Sequence, residues 1–81
     1  MEKTQVLSYT VMFEKDPDGG YVAMVPTLSG CVTQGETIEE AKEHIKEAIT
    51  LYLEVLKEDG DEIPVEADEH FVGTIAVPLP A

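Results

Sequence analysis

GCVTQGETIEEA, residues 30–41, decides the fold, because a turn, a strand, a second turn and a helix start are written into it in succession. Gly30 allows a reversal of the chain, and Cys31 to Gln34 is short and β-rich and reads as a strand. Gly35 gives the next turn. Thr37 and Glu40 stand at the spacing of a capping box, where a hydroxyl and a carboxylate each satisfy a backbone N–H at a helix start. Glu36, Glu39 and Glu40 lie where the helix dipole favours negative charge.

Downstream, Ile38, Ala41, Ile45, Ala48, Ile49, Tyr52 and Leu56 recur at intervals of three and four, the period of one buried helical stripe. Gly60 is placed to end the helix in a left-handed cap, and Pro64 prevents resumption. The helix is expected to run for about 22 residues, roughly 33 Å. An acidic loop over 61–69 follows, then a last strand over HFVGTIAV, 70–77, and a tail of PLPA.

Upstream, QVLSYTVMFEK (5–15) alternates. Leu7, Tyr9, Val11 and Phe13 share one face, and Ser8, Thr10 and Glu14 the other. DPDGG (16–20) is turn chemistry, and YVAMV (21–25) completes a hairpin that Pro26 ends. The expected architecture is α+β in the order β-β-β-α-β. One four-stranded mixed sheet carries one long helix on one face, in a single domain over 1–81.

Charge sets the partner class. The 17 acids face five Lys and no Arg, for a net charge of −12. Phosphate backbones are held by Arg and Lys, so this charge disfavours both direct nucleic-acid binding and an anionic membrane surface, and neither is expected. Such a field attracts basic partners. No leader opens the chain, no long apolar run suits a membrane, and the lone Cys31 has no partner for a disulfide; a cytoplasmic location is expected.

Catalysis and metal chemistry find little support. Two glycines five apart suggest a phosphate loop, but no Lys-Ser/Thr pair follows Gly35, and acids stand where the phosphate would sit. Cys31 as a nucleophile would need His44 or His70 as its base, and nothing near it in sequence would lower its pKa; it reads as a small buried hydrophobe. DPDGG lacks the later ligands of a calcium loop, and Glu58, Asp59, Asp61 and Glu62 read as a solvated run. No catalytic, cofactor or metal residue is expected.

G-Y-x-A at 20–23, P-x-L-x-G-C at 26–31, T-x-G-x-T at 33–37 and E-E-A at 39–41 together resemble the signature of HicB-type antitoxins. Gly20, Tyr21, Pro26, Gly30, Cys31, Gly35, Thr37, Glu40 and the later Gly60 carry the likeness. The resemblance implies a partial ribonuclease H-like fold without hydrolase activity. The strand interiors agree with this, being apolar or hydroxylic, with only Glu14 at a strand end, whereas two-metal chemistry needs clustered carboxylates. The resemblance also implies a partner: a small basic toxin of the HicA type, which cleaves messenger RNA with a histidine. Many family members continue into a DNA-binding domain; this chain stops at VPLPA, so no C-terminal DNA-binding domain is expected.

Two surfaces follow as expectations. Glu39, Glu43, Glu47, Leu51, Glu54, Val55 and Glu58 lie on the helix away from the core stripe and are the candidate partner-binding residues. Val6, Met12, Val22, Met24, Val32 and Val72, with Ala76, fall on the sheet face opposite the helix; a patch so apolar predicts a homo-oligomer, dimer or higher. The functional expectation is an acidic binding module that occludes the toxin's RNA-binding surface. The competing reading is a stand-alone oligomeric domain for a small ligand or another protein, with no toxin partner. A neighbouring gene for a short basic protein would separate the two.

Overall fold

A computed structural model describes residues 6–66 and 72–80. Its elements are β1 (Met12–Lys15), β2 (Tyr21–Met24), β3 (Val32–Gly35) and α1 (Ile38–Glu58). The strands form one sheet in the order β1-β2-β3 with both pairings antiparallel. The helix lies over β3 and β2 rather than over β1.

The hairpin closes where DPDGG predicts. Asp16 N–H donates to Gly20 O, Gly19 N–H to Asp16 O, and Asp18 N–H to the Asp16 carboxylate. Gly19 and Gly20 both hold positive φ, which a side chain would resist. β1 pairs over four residues only, although the alternating pattern begins at Gln5. The cause is β2, which runs out at Met24. From Val25 the chain bends into a second turn, held by Leu28 N–H on Val25 O and Cys31 N–H on Leu28 O, so the ladder between β1 and β2 ends at Met12 and Met24.

The helix obeys both of its signals. Thr37 Oγ1 accepts from Glu40 N–H at 3.1 Å. The Glu40 carboxylate reaches Glu36 N–H at 3.4 Å, one residue before the cap. At the other end Gly60 has φ +73°, Asp61 N–H bonds Leu56 O and Gly60 N–H bonds Lys57 O, the paired bonds of a Schellman motif.

The core is small: Ala23, Val25, Leu28, Cys31, Ala41 and Ile45 are buried. Tyr9, Val11 and Phe13 pack on it from the odd-numbered face of the first segment, as the alternation predicts. Leu28 is more deeply buried than any periodic pattern implies, because it sits in a turn that folds under the helix.

Among the described residues the sheet has three strands, and the expected fourth strand over 70–77 is not seen in its described part, 72–77. Residues 72–80 form no strand, and all ladders among the described residues are antiparallel. Residues 70 and 71 of the expected strand lie outside the described residues. The alternation over 72–77 is real, but it measures the fitness of a segment for a sheet and cannot supply an edge to pair with.

Candidate partner interface

Gly35 fixes how the helix meets the sheet. A Cβ there would stand 2.5 Å from Ala41 N and 2.9 Å from Ala41 Cα, so the first turn of α1 rests directly on the β3 backbone. This contact sets the rotation of α1 and therefore which residues face outward.

At 100° per residue, Glu39, Glu43, Glu47, Leu51, Glu54, Val55 and Glu58 occupy roughly 160° of arc, centred well away from Ala41 and Ile45. All seven are exposed. Leu51 is 62 % and Val55 54 % exposed, and this apolar pair forms the end of the arc nearest the core stripe, with the acids on its other side. Beside the pair runs an open groove of about 450 Å³, lined by Gly30, Cys31, Val32, Tyr52 and Leu56 among others. Of the lysines, Lys46 and Lys57 border the Glu39 edge of this arc, and Lys42 lies about 60° beyond that edge.

On the opposite sheet face Met12 pairs with Met24, and Met24 with Val32, so three exposed apolar side chains form one row across all strands. Val22 is half-buried on the same face, while Val6 and Val72 are exposed on segments outside the sheet. The structure thus brings together Met12, Val22, Met24 and Val32, but not Val6 or Val72.

Cys31 is buried, and that burial pushes its thiol above the usual cysteine range. The His44 ring instead turns to β3, with Nδ1 2.7 Å from the Gln34 carbonyl; since a carbonyl only accepts, Nδ1 carries the hydrogen. That bond raises the His44 pKa, burial opposes it, and Glu40, Glu47 and Glu43 add to the rise. Among the described residues no group of three or more His, Cys, Asp or Glu is placed to hold a metal ion, and no helix is long and apolar enough to cross a membrane. His70, Asp68 and Glu69 lie outside the described residues.

Glu66 is the residue that sequence reasoning misplaces. Grouped with the loop acids as a source of charge, it is instead a clasp. Its carboxylate accepts from Thr10 N–H at 2.6 Å, Thr10 Oγ1 at 2.7 Å and Thr27 Oγ1 at 3.0 Å. Next to it the Tyr9 hydroxyl donates to Pro64 O, and burial together with the Glu66 charge raises the Tyr9 pKa. No local pattern joins residues 55 or 56 positions apart.

Residues 9–73 match the family described as the HicB-like antitoxin of bacterial toxin–antitoxin systems. A UPF0150 protein of Synechocystis sp. is 50 % identical over 62 residues, which cover 76 % of this chain and 78 % of the relative. A UPF0150 protein of Archaeoglobus fulgidus is 49 % identical over 65 residues, covering 78 % of this chain and 94 % of the relative. One from Thermoplasma acidophilum is 53 % identical over 58 residues, covering 72 % and 84 % respectively.

Proposed function

The chain belongs to the HicB-like antitoxin family of bacterial toxin–antitoxin systems, and from that membership we propose that it neutralises a small basic HicA-type toxin by covering the surface on which the toxin binds and cleaves messenger RNA. A family of antitoxins is not a family of enzymes, and the chain performs no chemistry in this reading.

The observation that carries the proposal is the outer face of α1. Leu51 and Val55 stand exposed next to Glu39, Glu43, Glu47, Glu54 and Glu58, beside the groove at Cys31 and Val32. The pair and the groove give one apolar area that the acids border on one side, and apolar contact bordered by charge is common in protein interfaces. A surface built to bind RNA is complementary to those acids. The net charge of −12 favours a basic protein partner over nucleic acid. The row Met12–Met24–Val32 lies on the other side of the sheet and leaves room for self-association, dimer or higher, in the same complex.

The test looks for a short basic protein encoded beside the chain, purifies it and assays its cleavage of RNA with and without the full chain. Stoichiometric chain is expected to stop RNA cleavage, and Leu51→Glu with Val55→Glu to abolish that inhibition while the helical circular dichroism persists. Unchanged inhibition by the double variant would remove α1 from the interface.

A further inference from the structure

The chain exposes far more surface than it should. Its accessible area is 7097 Å² for 8.9 kDa, whereas a compact monomer of that mass exposes roughly 4,800 Å². Its radius of gyration is 15.8 Å, against about 12 Å for a compact chain of this length. Residues 72–80 are an uncharged stretch that forms no strand and is exposed throughout. Val72, Ile75, Val77 and Leu79 there are 70–93 % exposed.

A matching receptor is present on the same molecule. Because α1 lies over β2 and β3, the helix-facing side of β1 is left open. There, Tyr9, Val11, Phe13, Ile45, Ile49 and Leu53 line a mainly apolar groove of about 600 Å³, whose helix side also carries Lys42, Lys46 and Thr50. Among the described residues, the β1 backbone beside it (Met12–Lys15) has a ladder on its β2 side alone. Asp16 bonds Gly20 across the hairpin, so alternation gives the even-numbered residues of β1 to β2 and turns the N–H and C=O of Phe13 and Lys15 outward. The β3 edge differs. Val25 bonds Cys31, which leaves Gln34 facing out, and the Gln34 carbonyl is already taken by His44.

We propose that residues 72–79 of a second copy add as an antiparallel strand to the open edge of β1 and lay Ile75, Val77 and Leu79 into the groove between β1 and α1. Proline selects this geometry. Pro78 has no N–H and belongs on the outer side of an edge strand, which turns Ile75, Val77 and Leu79 toward β1. In an antiparallel pair, hydrogen-bonded residues share a face, so these three side chains fall on the Phe13 side, over the helix. Val72 and Ala76 then extend the sheet face of Met12 and Met24.

A parallel pairing reverses that parity and puts the large side chains on the wrong face. The chain's own helix would return its tail parallel to β3, and hence to β1, through a right-handed crossover. A second copy is free of that constraint. A two-fold axis lets each tail close the other's edge, a reciprocal form of strand addition. The inference does not rest on the toxin reading, since the chain alone decides it.

The experiment is sedimentation of the full chain at tens of micromolar, followed by isotope-filtered nuclear Overhauser spectroscopy on a refolded mixture of labelled and unlabelled chain. A dimer is expected, with contacts between copies from the Ile75 and Val77 methyls to the Tyr9 and Phe13 rings. Ile75→Asp with Val77→Asp should abolish the dimer, with the helical signal retained, while Met24→Glu should leave the contacts in place. A monomeric wild-type chain, the same contacts found only within one chain, or a dimer that survives the tail substitutions would overturn the proposal.

Discussion

The Glu66 carboxylate holds both the backbone N–H and the hydroxyl of Thr10, at 2.6 and 2.7 Å, and so ties the segment after α1 to the segment before β1. Hydrogen bonds to a charged group are each worth about 1.5–3 kcal/mol, and partial exposure places these at the low end. Glu66→Ala is expected to lower stability by about 2 kcal/mol, read as a shift in the urea midpoint with the slope unchanged. Glu66→Gln should lose less, because its amide oxygen still accepts. Equal stability of the Ala variant and the wild type would mean that the clasp contributes nothing.

Gly35 is the second fixed point. Its missing Cβ is what allows Ala41 N to approach within 2.5 Å of where that atom would be. The neighbour is backbone and cannot swing aside, so Gly35→Ala must lift the first turn of α1 from β3. A loss of about 3 kcal/mol is expected, the upper end of ordinary overpacking, measured by thermal unfolding. A variant as stable as the wild type would show that the turn shifts freely.

These two contacts mark the boundary of what the sequence discloses. The helix was legible at both ends, because Thr37 and Glu40 act within one turn and Gly60 within two residues of the last carbonyls. The hairpin was legible for the same reason. Leu28 was not, since a buried residue in a turn has no period to reveal it. Glu66 was not either, because its partners are remote in the chain. The alternation over 72–77 reads as a strand, but no ladder forms on it among the described residues. Of the candidate site, the wheel placed Leu51, Val55 and the glutamates correctly on one exposed face, because a long capped helix leaves little freedom in rotation. The sheet face was legible at Met12, Val22, Met24 and Val32, where alternation operates inside a ladder, and failed at Val6 and Val72, which lie beyond it.

Cys31 is expected to be a packing residue. Its side chain is buried and its thiol is held protonated by that burial. In the native chain a thiol reagent should react only as fast as the domain opens, and urea should restore ordinary reactivity. Cys31→Ala should cost about 1 kcal/mol through the small volume lost and leave partner inhibition intact. Rapid modification of the folded chain would reveal an accessible thiolate instead.

His44 gives a pH dependence of known sign. Its folded pKa lies above the ordinary value of 6.5, first through the bond to Gln34 O and then through Glu40, Glu47 and Glu43. A raised folded pKa means the charged form favours the fold, so the stabilisation is complete below about 6.5 and is lost as pH rises through the folded value. The His44 ring resonances should titrate with a midpoint above that of a free histidine. The difference in melting temperature between wild type and His44→Gln should be larger at pH 5.5 than at pH 9. A difference that grows toward alkaline pH would contradict the assignment.

The last expectation concerns how a basic partner is caught. Glu39, Glu43, Glu47, Glu54 and Glu58 run along the exposed face of α1, and Asp59, Asp61 and Glu62 continue past its end. Glu66 is withdrawn from this field by its bonds to Thr10 and Thr27. Charges on the rim of an interface act mainly on association, and unsteered protein pairs associate at about 10⁵–10⁶ M⁻¹s⁻¹. The association rate should therefore lie above that range at low salt and fall steeply as salt screens the field, with a Debye length of about 10 Å at 0.1 M. Leu51 and Val55 should instead govern dissociation, which salt touches little. Stopped-flow binding across a salt series separates the two. Changing Glu43 and Glu47 together to Gln should lower the association rate several-fold and flatten its salt dependence, whereas Glu66→Gln should do neither. Leu51→Ala should speed dissociation and leave association almost unchanged. An association rate that is flat in salt for the wild-type chain would remove steering from the mechanism and leave recognition to shape and apolar contact at Leu51 and Val55.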